Sequence, residues 1–135
     1  MSDYTMTVTL DRAYDDVVPL VRDALAEQGF GVLTEIDVRA TMKAKLDVDV
    51  PAQVILGACR PQLAHQALEA TPSLGALLPC NVVVRTEPNG RTAVEVIDPE
   101  AMARLEDSPV IREVADEART RLRAALDALE PVEVA

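Results

Sequence analysis

Thr5-Met6-Thr7-Val8-Thr9-Leu10 alternates polar and apolar positions, a period of two that predicts a strand with one face buried and one wet. After Asp11 and Arg12 the period changes. Val17, Val21, Ala24 and Leu25 recur at helical spacing, with Asp15 or Asp16 as the expected N-cap. A cap at Asp16 puts Pro19 in the first turn, where its missing N–H is tolerated, and Gly29 suits the left-handed residue that closes a helix. Val32 to Ile36 reads as a second strand. Asp37 then caps a short helix carrying Val38, Met42 and Leu46, and Asp47 to Pro51 form a loop.

Val54 to Cys59 is a nearly continuous apolar run of strand length, as expected of a central strand. Pro61 fits the first position of a helix with an apolar stripe of Leu63, Ala64, Ala67 and Leu68, and a short helical turn follows from Ser73 to Leu77. Asn81 to Arg85 and Ala93 to Ile97 are strands of a hairpin joined through Pro88-Asn89-Gly90, where Asn and Gly accept positive φ. Asp98-Pro99 and Ser108-Pro109 each set a cap before a proline. The first opens a short helix through Met102 and Leu105; the second opens the longest one, with Ile111, Val114, Ala118, Leu122, Ala125 and Leu129 along one side. Its acidic Glu113, Asp116 and Glu117 come early and its arginines late, which complements the helix dipole and allows a Glu117 to Arg121 pair. Five strands that do not alternate regularly with helices, and one clear hairpin, give an α+β two-layer domain over residues 1–130, with 131–135 as a frayed tail.

The chain has 135 residues, 49% hydrophobic and 27% charged, and its aromatic residues are Tyr4, Tyr14 and Phe30, so the core must be aliphatic. Its 23 acidic and 13 basic residues give a net charge of −10. Phosphate neutralisation requires a basic stripe and the sequence has none, which excludes nucleic acid and anionic membrane surfaces as expected partners. Arg39, Lys43 and Lys45 are the one local cluster of positive charge, and a solvated helix face accounts for them. The longest apolar run, Leu74 to Val84, is broken by Gly75, Pro79 and Asn81 and is too short to span a bilayer. No export signal is visible at Met1-Ser2-Asp3-Tyr4, so the expected location is the cytoplasm, where Cys59 and Cys80 stay reduced.

Four segments, Gly29 to Val38, Ile55 to Cys59, Leu78 to Val82 and Val96 to Pro99, make the chain resemble the domain-of-unknown-function 302 family from about Thr7 to Leu126. The resemblance implies a TBP-like fold, a mainly antiparallel sheet with helices packed on one face, and often a dimer. It brings no settled activity. Where the family usually has Asn between the cysteine and the proline, this chain has Arg60.

Both cysteines and the only histidine lie between Gly57 and Asn81. If the strands at Cys59 and Cys80 run antiparallel, as the resemblance implies, the thiols fall at one end of the sheet. Cys59 would also precede a helix N-terminus with Arg60 alongside, a setting that lowers a thiol pKa. This nominates a pocket of Cys59 and Cys80, with Asn81, Arg60 and Glu35, that binds a small ligand or metal or performs thiol redox chemistry. The other reading is a non-catalytic homo-oligomeric module, a dimer, in which the cysteines are small apolar core residues. Two Cys and one His lack the fourth ligand of a closed zinc site, and Asp47 and Asp49 lack the rest of a calcium loop. His65 is expected to pair with Glu69, and Asp37 has a sufficient role as a cap. No set of acid, base and nucleophile of a common enzyme class can be assembled, and no cofactor is indicated.

Overall fold

The computed structural model describes residues 2–129; the tail expected from Pro131 to Ala135 lies outside them. The alternating first segment is β1 (Thr5–Leu10), and after it come α1 (Tyr14–Glu27), β2 (Gly31–Asp37), α2 (Val38–Leu46), β3 (Gln53–Cys59) and α3 (Pro61–Ala70). A 3₁₀ turn (Pro72–Leu77) leads to the hairpin β4 (Cys80–Thr86) and β5 (Thr92–Ile97), then α4 (Glu100–Leu105) and α5 (Pro109–Asp127). The strands form one sheet in the order β1-β5-β4-β3-β2, with every neighbouring pair antiparallel. Consecutive strands β1 and β2 therefore lie at opposite edges, and α1 carries the chain across the sheet. This is the α+β, mainly antiparallel architecture expected.

Register explains why one face is covered. Met6, Val96, Val82 and Leu56 stand side by side across four strands, all buried, beneath Val17, Val21 and Leu25 of α1 and Leu122 and Leu126 of α5. A second cluster joins Leu63 and Ala67 of α3 to Leu74 and to Ile111, Val114 and Ala118 of α5. Thus α5 holds two cores with one apolar stripe, the first half of the helix serving one and the second half the other. Among the described residues no helix buries the opposite face. There the row Thr7, Glu95, Val83, Ile55 and Ile36 contains no buried residue.

Most helix ends follow their expected chemistry. Asp37 accepts a hydrogen bond from Ala40 N at 2.9 Å, and Ser108 one from Ile111 N at 3.5 Å. Gly29, at φ +82, closes α1 while Phe30 N donates back to Leu25 O and Gly29 N to Ala26 O, the paired bonds of a Schellman end. Asp98 accepts from Glu100 N and also from Arg119 Nε at 3.2 Å, tying the start of α4 to α5.

Three expectations need correction. α1 starts earlier than its aspartates suggest, because Ala13 O already accepts from Asp16 N and Val17 N. Asp15 and Asp16 therefore lie in the first turn, where they complement the dipole, and Pro19 sits in the helix interior at the loss of a backbone bond to Asp15. In α2 the apolar positions meet no core: none of its residues is buried. Leu68 is also exposed, and α3 packs through the buried Leu63 and Ala67 with Ala64 half-buried beside them.

Candidate functional site

The sheet brings the two cysteines to one end, as antiparallel pairing requires. Cys80 stands directly opposite Ala58, one residue short of Cys59, and shares the helix-covered face with Ala58. Cys59, the last residue of β3, has Gly31 of β2 as its partner. Both cysteines are free. They border a partly open apolar cavity of about 30 Å³, lined also by Phe30, Leu63 and Met102, with room for about one or two waters.

Burial also reverses the expected thiol chemistry. The Cys80 thiol is 7% exposed and is pushed up to about 11 by burial and then by the nearby Cys59. Cys59 is likewise raised by burial, not lowered. The helix N-terminus and Arg60 do not win here because the guanidinium is drawn elsewhere, over Gly29 and to 3.5 Å from Glu117 Oε2. That distance suits an ion pair, yet Arg60 Nε keeps no hydrogen-bond partner, while Glu117 Oε2 accepts from Arg121 Nε at 3.1 Å. Among the described residues no group of three His, Cys, Asp or Glu is placed to hold a metal ion.

These facts predict that in the native protein at pH 7.5 both thiols react with an aromatic disulfide reagent far more slowly than after unfolding in guanidinium, Cys80 the slower of the two. Fast native-state reaction of Cys80 at that pH would contradict the burial argument. The same shift sets a pH dependence of stability. A folded thiol pKa above the unfolded value of about 8.5 contributes fully below that value, and its contribution falls as the pH rises toward the folded value.

The remaining candidates lie apart. Glu35, on edge strand β2, forms an exposed ion pair with Arg22 of α1 at 2.6 Å, and four residues of strand, about 13 Å, separate it from Gly31 beside Cys59. His65 pairs with Glu69 at 3.0 Å on an exposed helix face, as expected. Asn81 is opposite Gly57 and lies on the uncovered face of the sheet, away from the thiol cavity.

Asn81 belongs to a different feature. A groove of about 520 Å³ runs over β1, β5 and β4 on the uncovered face, between Tyr4 and the segment Ala76 to Pro79. Its walls include Leu77, Pro79, Val83 and Ile97, and its polar groups include Thr5, Asn81 and Glu95. Glu95 Oε2 accepts from Thr5 Oγ1 at 2.8 Å and Thr7 Oγ1 at 3.0 Å, while Oε1 accepts from Arg85 at 3.2 Å. Burial by itself would raise the Glu95 pKa, but these bonds together outweigh it and hold the carboxyl below its ordinary value. Arg85 is bound in turn to Glu87 at 3.0 Å. Sequence reasoning missed Glu95 and its partners. The signal was present in the threonines on the wet positions of β1, but nothing in the chain order says that β1 and β5 are neighbours.

Comparison with known proteins places this geometry. The family model described as "Domain of unknown function DUF302" matches residues 6–129. The chain belongs to the DUF302 family. A solved structure described as an uncharacterized conserved protein DUF302 from Bacillus stearothermophilus superposes with a TM-score of 0.85 at 30% sequence identity, covering 93% of this chain and 98% of that one. Among curated proteins, a hybrid PKS-NRPS synthetase from Pyrenochaetopsis sp is 36% identical over 70 residues. These amount to 51% of this chain, and the match spans 2% of the synthetase. The DUF302 fold thus accounts for the sheet order and helix cover. Among the described residues no helix is long and apolar enough to cross a membrane.

Proposed function

We propose that this DUF302 protein works by association, as a non-catalytic homo-oligomeric module whose cysteines are core residues. One observation carries the reading: α2 is a nine-residue helix that buries none of its residues. Isolated helices shorter than about 12–15 residues are marginal in water, so α2 gains most from a partner that covers it. The neighbouring surface has the same character. Leu33 and Ile36 on edge strand β2 are 65% and 49% exposed, and Leu46 and Val48 after it are 66% and 42% exposed. Solitary exposed apolar residues are ordinary, but four on one edge segment favour an interface.

Charge supports a second copy as the partner. From Gly31 to Val50 the acids Glu35, Asp37, Asp47 and Asp49 are nearly balanced by Arg39, Lys43 and Lys45, whereas the whole chain carries −10. Two copies therefore meet least repulsion along this segment, and a two-fold axis lets the same patch face itself. The register shift at Leu33 bends the edge and limits open-ended strand addition, which favours a closed dimer over a fibre.

Light-scattering mass measurement at micromolar concentration tests the reading. The wild-type protein is expected as a dimer, and Ile36→Lys with Leu46→Glu as a monomer with unchanged circular dichroism. A wild-type protein that is monomeric at all concentrations rejects it.

A further inference from the structure

The uncovered-face groove lies across β1, β5 and β4, toward the sheet edge opposite β2, and shares no lining residue with the β2–α2 segment. Its size falls within the range of about 300–1,000 Å³ typical of small-molecule sites, and its make-up, apolar walls with a few placed polar groups, is typical too. The polarity of those groups is one-sided. Thr5 spends its hydroxyl proton on Glu95 and so presents only lone pairs to the groove. Glu95 uses three of its roughly four acceptor positions on Thr5, Thr7 and Arg85, which leaves acceptor capacity at a fixed carboxylate. Among the described residues no lysine or arginine lines the groove, and Arg85, the cation that holds Glu95 from beside it, is shared with Glu87, so the Glu95-Arg85-Glu87 group keeps a net negative charge. Asn81, exposed at the rim, supplies an amide that both donates and accepts.

We propose that this groove binds a small amphipathic cation, an ammonium group on an apolar body, with the ammonium donating to Glu95 and Thr5 and the body lying along Leu77, Pro79, Val83 and Ile97. The carboxylate needs no rearrangement to receive it, because Thr5, Thr7 and Arg85 already fix its orientation and hold it ionised. Fixing the acceptor in advance removes an ordering cost from binding. The net charge of −10 draws cations and disfavours carboxylates or phosphates of the same shape.

Three probes with one chain length separate the contributions: hexylammonium, hexanol and hexanoate, titrated into isotopically labelled protein at moderate salt while amide resonances are followed. Hexylammonium is expected to give saturable shifts centred on Thr5, Asn81, Val83 and Glu95, hexanol to bind about tenfold more weakly, and hexanoate not to bind. Glu95→Gln should abolish the preference for the ammonium. Asn81→Trp, an exposed substitution that fills the groove, should abolish binding of both remaining probes with the resonance dispersion of a folded chain. The proposal fails if hexanol binds as well as hexylammonium, if Glu95→Gln keeps the preference, or if no probe saturates. It also fails if Asn81→Trp converts an oligomer to a monomer, because a second copy then occupies the groove.

Discussion

Truncating Leu122 to alanine is expected to lower stability by about 2–5 kcal/mol, the largest effect of any single truncation in this chain. Leu122 is fully buried and lies on α5 where the helix crosses the sheet, in contact with the cluster that contains Val21, Val82 and Val96. The loss is the transfer free energy of the removed carbons plus the cavity they leave. The cavity cannot easily collapse, because α5 is held at its other end by a second core through Ile111, Val114 and Ala118. A helix anchored twice cannot tilt into a gap at one anchor. For a chain of this size the change corresponds to a fall in Tm of roughly 3–4 °C per kcal/mol, readable by calorimetry or chemical denaturation. Arg123→Ala on the same helix is the control, expected within about 0.5 kcal/mol of wild type because surface substitutions seldom exceed that. A Leu122→Ala loss below about 1 kcal/mol would show that the two anchors are not independent.

That double anchorage was half legible in the sequence. The helical spacing of Ile111 through Leu129 marks a long buried face, but the pattern is the same whether the face meets one core or two. Local signals performed best where the chain decides its own conformation within a few residues. Asp37, Ser108, Gly29 and the Asn89-Gly90 turn each act over three or four positions, and each occurs where expected, although in the turn only Gly90 takes a positive φ. Pro19 shows the limit of such signals. The rule that keeps proline in a first turn is a preference of an isolated helix, and here the packing of Val17, Val21 and Leu25 outweighs it. For α2 the failure runs the other way: Val38, Met42 and Leu46 have the right spacing, yet Val38 and Met42 are only half-buried and Leu46 is exposed.

The site was less legible than the fold because a site depends on which face a residue occupies and what its neighbours do. Rarity drew the reading to Cys59, Cys80 and His65, and the antiparallel register does bring the cysteines to one end of the sheet. Burial then raises both thiols, while Arg60, the residue expected to activate one of them, turns to Glu117. Asn81 was singled out for its place beside Cys80, yet its side of the strand opens onto a groove whose floor is Glu95. A charged residue flanked by Val94 and Val96 reads from the sequence as an ordinary wet position of a strand. Its three partners come from β1 and β4, the first separated from it by 88 and 90 residues, and no local pattern reports such a meeting.

Gly57→Val is the second substitution expected to be severe, costing about 2–3 kcal/mol by overpacking and deforming the groove as it does so. Gly57 is buried although its open side belongs to the uncovered face, because the Pro79 ring lies across it. A Cβ at this position would collide with Thr34 Oγ1 on β2 and would come within 2.7 Å of Pro79 Cγ. The backbone of Gly57 has no left-handed φ, so the demand for glycine here is purely one of space. Of the two neighbours, Thr34 can turn its hydroxyl away, whereas the ring of Pro79 belongs to the segment that walls the groove and must move as a unit. Gly57→Ala should therefore cost less than the valine variant, about 1–2 kcal/mol, since alanine also recovers some of the entropy that glycine loses on folding. Adding Thr34→Ala should relieve only part of the loss, the unrelieved part being the displacement of Pro79. A double-mutant cycle in denaturant measures that division. Full rescue by Thr34→Ala would mean that the groove wall yields freely, and a wall that yields cannot hold Pro79 over the apolar body of a ligand.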